Sequence, residues 1–570
     1  MKRILSVFLA VIIVFGFSST AFAENDLAQN VTAEMCKPGY WKSRTFTDAD
    51  EVLMTPDDIR AFNENAYQSS GTYIVGIEKI KETYNADYQR SIMQFDVPSR
   101  TLYINGQVID KVAYYNKINQ AILNTGYTET VKETEYAIVV RQTDMKYIPT
   151  LDVIGYSATD SDDEMEYENL CVNEPFAVRA MCIIDGVKFF YGWSTDCVGW
   201  VPADDLAICS SKQEWLDAWY NEIEADDFIV ITQDKLNLEP SLYDKDLSNL
   251  KLTLGTSLKL VSEDKKPVLV DGRNTWHNYV VYIPVRDADG HYAKKTALIP
   301  EHYSVSIGYL PFTQANLLDI AFTCLGNRYG WAGMLDSYDC SLYTRTIYRC
   351  FGLTYPRNGN WQENVSGTKI DLSKMNDEEK QMLIETLPTG TTMFFSGHTM
   401  MYLGTDNSIS YVISALGTAV ESTGSNDVKT VYNIAVTPLT MRRGASYGYT
   451  SWLHNLSSVV MVMPKTDISK CEVTAFAECD GENPSVCVKT GDKELYENIN
   501  YTVTYEDGIA IINGINNYSG SVSVDIEKKH TDADGNGRCD KCNEMLKTNL
   551  FTRFFSKIIE FFKKIFRIML

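Results

Sequence analysis

At 570 residues the chain is too long for one hydrophobic core, so roughly three to five domains are expected. Its content of 45% apolar and 12% aromatic residues excludes a disordered chain. A formal net charge of −23 excludes nucleic-acid binding through a broadly basic surface.

From the N-terminus, Lys2 and Arg3 precede an apolar run, Ile4 to Phe17, and Ala21-Phe22-Ala23 follows before Glu24. That order is the one found in a secretory signal peptide and predicts cleavage after Ala23, an uncleaved anchor being the alternative. The protein is therefore expected outside the cell, secreted or associated with its surface. Thirteen cysteines at scattered spacing permit disulfides there, with Cys171, Cys182, Cys197 and Cys209 close enough in sequence to share a domain. Residues 24–128 show helical stretches over Pro56–Ala66, after the N-cap candidate Thr55, and over Val112–Leu123. Nothing in them resembles a catalytic constellation.

From 129 the pattern changes to short strands. Ala137–Arg141 is one, and Pro175–Ile184 and Lys188–Trp193 are joined by Asp185-Gly186, a strong hairpin signal. Val198–Pro202 closes this all-β unit, placed at 129–212. A second spans 213–310 with strands at Phe228–Thr232, Lys251–Leu254, Tyr279–Arg286 and Ala297–Pro300, and with turns at Asp271-Gly272 and Asp289-Gly290.

Residues 311–465 carry the chemistry. Thr313 caps a predicted helix, Gln314–Leu325, and glycines 330 and 333 lead into Asp339-Cys340-Ser341 and a helix running to Cys350. A cysteine at a helix N-terminus sits at the positive end of the dipole, which lowers the thiol pKa. Downstream, Ser396-Gly397-His398 opens a strand, Thr399–Leu403, flanked by Thr392–Phe395, Ile409–Ser414 and Val459–Met463. An α+β core with an antiparallel sheet follows, with cysteine before histidine in the order of a papain-like thiol hydrolase.

The residues Asn327-Arg328-Tyr329-Gly330-Trp331, Asp339-Cys340-Ser341, Pro356-Arg357-Asn358 and Gly397-His398, with Tyr402-Leu403-Gly404, resemble the NlpC/p60 superfamily of cell-wall cysteine peptidases. The resemblance extends over about 35–465, to members with an N-terminal stabilising domain and two bacterial SH3-like domains. Leu53–Asp57 matches the start of the former, and Trp200-Val201-Pro202 matches an SH3-like ending. It implies Cys340 as nucleophile, His398 as base and, on the next strand, a polar residue that orients the imidazole. There this chain has Ser414 where a histidine is expected, so orientation is expected to be weaker; Ser410 and His454 are further candidates. It also implies cleavage of the D-γ-glutamyl–diamino acid bond of peptidoglycan peptides, with no cofactor required for catalysis. Asp339 would meet a free substrate amine, with an aromatic wall from the first SH3-like domain, Tyr191 or Trp193. Asp339 could instead simply cap its helix. Ser341 and Tyr329 complete the implied substrate site, Tyr329 also as an oxyanion donor, while Arg345 and Arg357 either meet a substrate carboxylate or form structural ion pairs. Two rivals are a wall-binding protein whose catalysis has decayed at Ser414 and another thiol chemistry such as amidase or acyl transfer.

Beyond 465 a small β module is expected over 466–528, spacing or presenting the enzyme. In the linker 529–548, Asp532, Asp534, Asn536 and Gly537 match the first half of an EF-hand-like Ca²⁺ loop, although position twelve is Asn543. His530, Cys539 and Cys542 alternatively suit a softer metal but lack a fourth ligand. A Cys539–Cys542 disulfide or a plain linker is the third reading. Residues 549–570 form a basic amphipathic helix, with Arg553, Lys557, Lys564 and Arg567 beside a phenylalanine- and isoleucine-rich face. It is suited to a membrane surface or a partner helix and too charged to span.

Overall fold

The computed structural model describes residues 27–546 apart from 70–75, 86–92, 94, 124–130, 161, 480 and 534–537. The leader read at 1–23 and the basic helix read at 549–570 lie outside the described residues. The chain divides into two compact units, one of Met1–Gln381 with Leu387–Pro464 and one of Met382–Thr386 with Lys465–Leu570. No described helix is long and apolar enough to cross a membrane.

In the first unit, the N-terminal segment lays its apolar faces on two neighbours. Its helix Pro56–Ser69 starts with a reciprocal cap. Thr55 Oγ1 accepts the Asp58 N–H at 3.2 Å, and the Asp58 carboxylate accepts the Thr55 N–H at 2.8 Å. Phe62 from this helix stacks on Tyr355, Trp41 packs on Tyr411, and Val52–Met54 pairs with Phe312–Thr313. The helix Lys111–Leu123 instead buries Tyr115, Ile118 and Ile122 in a cluster shared with Tyr191 and Trp200 of the following β region.

That region is one antiparallel sheet of seven strands, in the order Leu206–Ile208, Glu135–Val139, Pro175–Ile184, Val187–Trp193, Val198–Pro202, Thr143–Lys146 and Glu166–Leu170. Asp185 and Gly186 adopt φ 51° and 82° in its central hairpin, as a two-residue turn between right-twisted strands requires. The next region holds four small sheets, one of them Leu269–Val270 paired with Arg273–Asn274. Phe228–Ile231 lies between Ser257–Lys259 and Val305–Ile307, Lys235–Asn237 pairs with Lys251–Thr253, and Asn278–Arg286 pairs with Tyr292–Pro300.

Next comes a six-stranded antiparallel sheet, ordered Thr368–Asp371, Ser458–Met461, Thr392–Phe395, His398–Asp406, Ile409–Val420 and Val428–Pro438. The amphipathic helix Cys340–Arg349 packs on the strands His398–Asp406 and Ile409–Val420, and Gln314–Phe322, capped by Thr313, packs on that helix. This packing sets the start of the helix against the start of the His398 strand.

The second unit has its own six-stranded sheet: Lys493–Glu494, Ser485–Thr490, Glu472–Glu478, Ser521–Lys529, Ile509–Gly514 and Tyr501–Glu506. Glu472–Glu478 and Ser521–Lys529 run parallel, and the other pairs are antiparallel.

Candidate active site

Cys340 is the first residue of its helix, and Asp339 is the N-cap, accepting the Leu342 N–H at 2.8 Å. Backbone N–H groups of Thr399 and Ser341 approach the thiol, so the neighbour of His398 in sequence touches the sulfur. Those contacts and the helix start favour a thiolate, but burial dominates. Together with the Asp339 charge it pushes the Cys340 thiol up to about 12, a correction to the lowered value read from the helix dipole alone.

His398 follows the tight turn Ser396-Gly397, where Gly397 adopts φ 84°. Its Nε2 lies 3.1 Å from Ser414 Oγ, which leaves Nδ1 as the ring's other nitrogen. Phe395 and Trp452 pack against the ring with centroids at 5.3 and 5.7 Å. This apolar packing, and then the nearby Arg443 charge, lower the imidazole pKa to about 4. At neutral pH the resting pair is therefore thiol and neutral imidazole. Alkylation of Cys340 by iodoacetamide should accordingly rise about tenfold per pH unit from pH 7 upward. Peptide mapping would follow it, and a plateau reached by pH 7 would contradict the neutral thiol.

The other polar candidates separate cleanly. Ser410 is buried against Thr405 and Gln381, and His454 is exposed and bonded to Asp377 at 3.0 Å. Arg357 is buried and grips Asp339 with both terminal nitrogens, at 2.6 and 3.2 Å, while donating to Ser341 Oγ at 2.9 Å. This guanidinium and the backbone donors hold the Asp339 carboxyl below its usual range despite full burial. Asp339 Oδ1 accepts from Leu342, Ser341 and Arg357, and Oδ2 from Ala332 and Arg357. Arg345 faces away from the thiol into a buried cluster, ion-paired with Glu168, with Glu174 at 3.0 Å and with Asp196 at 2.7 Å. Both arginines are thus structural ion pairs.

Cys340, His398, Asp339, Ser341 and Tyr329 line one cleft of about 960 Å³. Burial pushes the Tyr329 hydroxyl well up, so it stays protonated and able to donate. Tyr191 and Trp193 are not among the lining residues. Tyr191 is 6% exposed with its ring 5.1 Å from Trp200, and Trp193 packs with Trp215. The strand alternation that points Tyr191 into the core removes it from the cleft. The β-sheet region supplies Glu166 and Tyr167 to the cleft instead. Glu166 is buried, its Oε1 has no hydrogen-bond partner among the described residues, and burial with the Asp144 charge raises its pKa well above the usual value. The signal for it was acidic alternation in Glu164-Met165-Glu166-Tyr167-Glu168, where Glu166 and Glu168 share the buried face of one strand. Trp331, 46% exposed, and Arg443, stacked on Tyr447 at 3.3 Å, line the cleft as well.

Of the calcium-loop residues, Asp532 is described, whereas Asp534 and Asn536 lie outside the described residues. They belong to the second unit, away in sequence from the thiol.

Residues 326–434 match the model of the NlpC/P60 family, and the thiol, the imidazole and Ser414 all fall within the matched stretch. Over 225 residues the chain is 28% identical to a Bacillus cereus protein named gamma-D-glutamyl-L-lysine dipeptidyl-peptidase, a match covering 37% of this chain and 55% of that relative. The chain thus spans about half the length of that curated relative. A solved NlpC/P60 endopeptidase from Photobacterium damselae subsp. piscicida shares the fold, with a TM-score of 0.55 at 17% identity, over 74% of this chain and 97% of that one.

Proposed function

We propose that this chain is an exported thiol peptidase that hydrolyses the bond between D-γ-glutamate and a diamino acid in peptidoglycan peptides. The observation that carries the proposal is the Ser414–His398 contact beside a thiol at a helix start, in a cleft with a carboxylate on its wall. The named activity of the Bacillus cereus relative supports the choice of bond.

In this mechanism His398 takes the proton of the Cys340 thiol as the sulfur bonds to the scissile carbonyl carbon. The oxyanion is received by N–H groups at the helix start and by the Tyr329 hydroxyl. Collapse breaks the C–N bond, the imidazolium proton goes to the leaving amine, and a water activated by the imidazole cleaves the thioester. Because His398 is held neutral, the imidazolium exists only transiently. Ser414 acts as a positioning residue by engaging Nε2. The substrate amine is assigned to Glu166, since Asp339 already has five donors on its two oxygens. The two β regions are read as SH3-like domains, the first presenting the amine-binding wall. The leader-like sequence at 1–23 and the basic, apolar-rich sequence at 549–570 support reading the enzyme as one that acts at the cell envelope, the latter suiting a membrane surface.

The test is release of L-Ala-D-Glu from an L-Ala-D-γ-Glu-diamino acid peptide with a free or an acetylated N-terminus, using Cys340→Ala as control. Cleavage of the free peptide alone, absent in Cys340→Ala, is expected. If neither peptide is cut by folded protein, the peptidase reading fails and a wall-binding role gains.

A further inference from the structure

The second unit brings together four ligand-type side chains that no catalytic role uses. Cys479 directly follows the strand Glu472–Glu478, and His530 directly follows the strand Ser521–Lys529. The two strands run parallel with Glu478 opposite Lys529, so the next register position sets Cys479 beside His530. The remaining two ligands come from a Cys539-Asp540-Lys541-Cys542 turn. The Asn543 N–H donates to the Cys539 carbonyl at 2.8 Å, and backbone N–H groups of Lys541 and Cys542 reach the Cys539 sulfur. This turn is fixed to the strand end, because the Asp540 N–H donates to the Thr531 carbonyl at 2.8 Å.

The Sγ atoms of Cys479, Cys539 and Cys542 and the ring nitrogen of His530 all lie within 4.8 Å of one another. Ligand atoms around a tetrahedral zinc, with bonds of about 2.3 Å to sulfur and 2.0 Å to nitrogen, stand roughly 3.5–3.8 Å apart. The cluster is therefore close to metal-binding size without moving the backbone. His530 Nδ1 is 3.3 Å from Cys542 Sγ, while its Nε2 is 3.6 Å from the Glu544 carboxylate. A carboxylate behind a ligating histidine fixes the ring and its tautomer. Cys539 and Cys479 are 2% and 8% exposed, His530 is half-buried and Cys542 faces solvent, so the cluster is buried on one side and open to an incoming ion on the other.

We propose that Cys479, His530, Cys539 and Cys542 form a structural Cys₃His site for a soft divalent cation of the zinc class. Cys479 is the ligand that the tail's own spacing lacked, and it comes from the β module. Four protein ligands leave no open position, so the ion's role is to fasten the tail segment to the ends of two strands. Three sulfurs around one imidazole suit such an ion better than calcium, which takes oxygen ligands.

The full chain, reduced and stripped of metal, would be dialysed against Zn²⁺ and assayed by plasma mass spectrometry, and separately titrated with Co²⁺. About one zinc per chain is expected, with thiolate-to-cobalt charge transfer and tetrahedral d–d absorption in the parent protein. Cys479→Ser should lose the zinc and both bands, whereas Cys487→Ser, at a cysteine of the same module outside the cluster, should keep them. Absence of a tetrahedral cobalt spectrum in the parent protein would overturn the site. So would full zinc retention by Cys479→Ser, or stoichiometric binding of Ca²⁺ with none of Zn²⁺.

Discussion

Replacing Arg345 by methionine is expected to destabilise the first unit by about 3–5 kcal/mol, as breaking a buried ion pair from one side generally does. Arg345 is buried among Glu168, Glu174 and Asp196, with Arg349 reaching Glu174 at 3.1 Å. Two guanidinium groups thus face three carboxylates. The arginines hold Glu174 down to about 2, whereas burial and the neighbouring carboxylates raise Asp196 to about 7. Asp196 therefore keeps a proton in the folded state up to near neutrality. Its folded pKa lies above its unfolded 3.8, so its contribution is complete below that value and is lost as pH rises through about 7. Without Arg345, Glu174 and Asp196 would both bind protons more strongly than they do beside it, and the defect should grow from pH 5 to pH 8. Urea unfolding of parent and Arg345→Met proteins at both pH values measures this. A change below about 1 kcal/mol at pH 8 would show that the cluster is not the support inferred here. Arg345→Lys should recover only part of the loss, since an ammonium cannot fork to several carboxylates.

The same cluster has a functional consequence. Arg345 lies on the helix that begins with Cys340, and Glu168 lies on the strand that carries Glu166 and Tyr167. The buried ion pairs therefore set the distance between the Cys340 thiol and the wall of the cleft. Loosening them should raise KM for a peptide that spans both before it affects the thiol itself.

Much of the site was legible because its chemistry is local in sequence. Asp339-Cys340-Ser341 reads as a helix cap followed by a thiol, His398 stands at a strand start, and Ser414 on the next strand reaches its imidazole. Hairpin residues such as Asp185-Gly186 fixed element boundaries because φ above zero restricts the residues that can serve there. What was not legible depends on which face of a strand meets a neighbouring domain. The family resemblance points to Tyr191 or Trp193 as an aromatic wall, yet the sheet packs both against apolar clusters, and the wall comes from Glu166 and Tyr167 on an outer strand of the same sheet. The thiol pKa failed for a similar reason. Its helix dipole is visible in sequence, but the desolvation that outweighs it arises only when the sheet, the helix and the first β region close around the sulfur. Cys479 was missed as a ligand because only the parallel pairing of two distant strands brings it beside His530.

Glu166→Gln should lower kcat/KM for the free-amine peptide by about a hundredfold, the scale expected when a desolvated ammonium loses its carboxylate. The acetylated peptide, which carries no ammonium, should change little, so discrimination between the two should collapse. Glutamine keeps the shape and the hydrogen-bonding capacity, so this loss reports the charge. The pH dependence separates this role from simple packing. In the empty cleft burial and Asp144 favour protonated Glu166, with Lys146 opposing them. Binding an ammonium requires the ionised form, so binding releases a proton. Affinity should rise with pH through the acid and neutral range until the substrate amine itself deprotonates near pH 8. For the parent protein KM should therefore fall between pH 5 and 7, and in Glu166→Gln that slope should flatten. If the slope survives in the variant, the amine is held elsewhere, and Asp339 would have to release Arg357 to receive it.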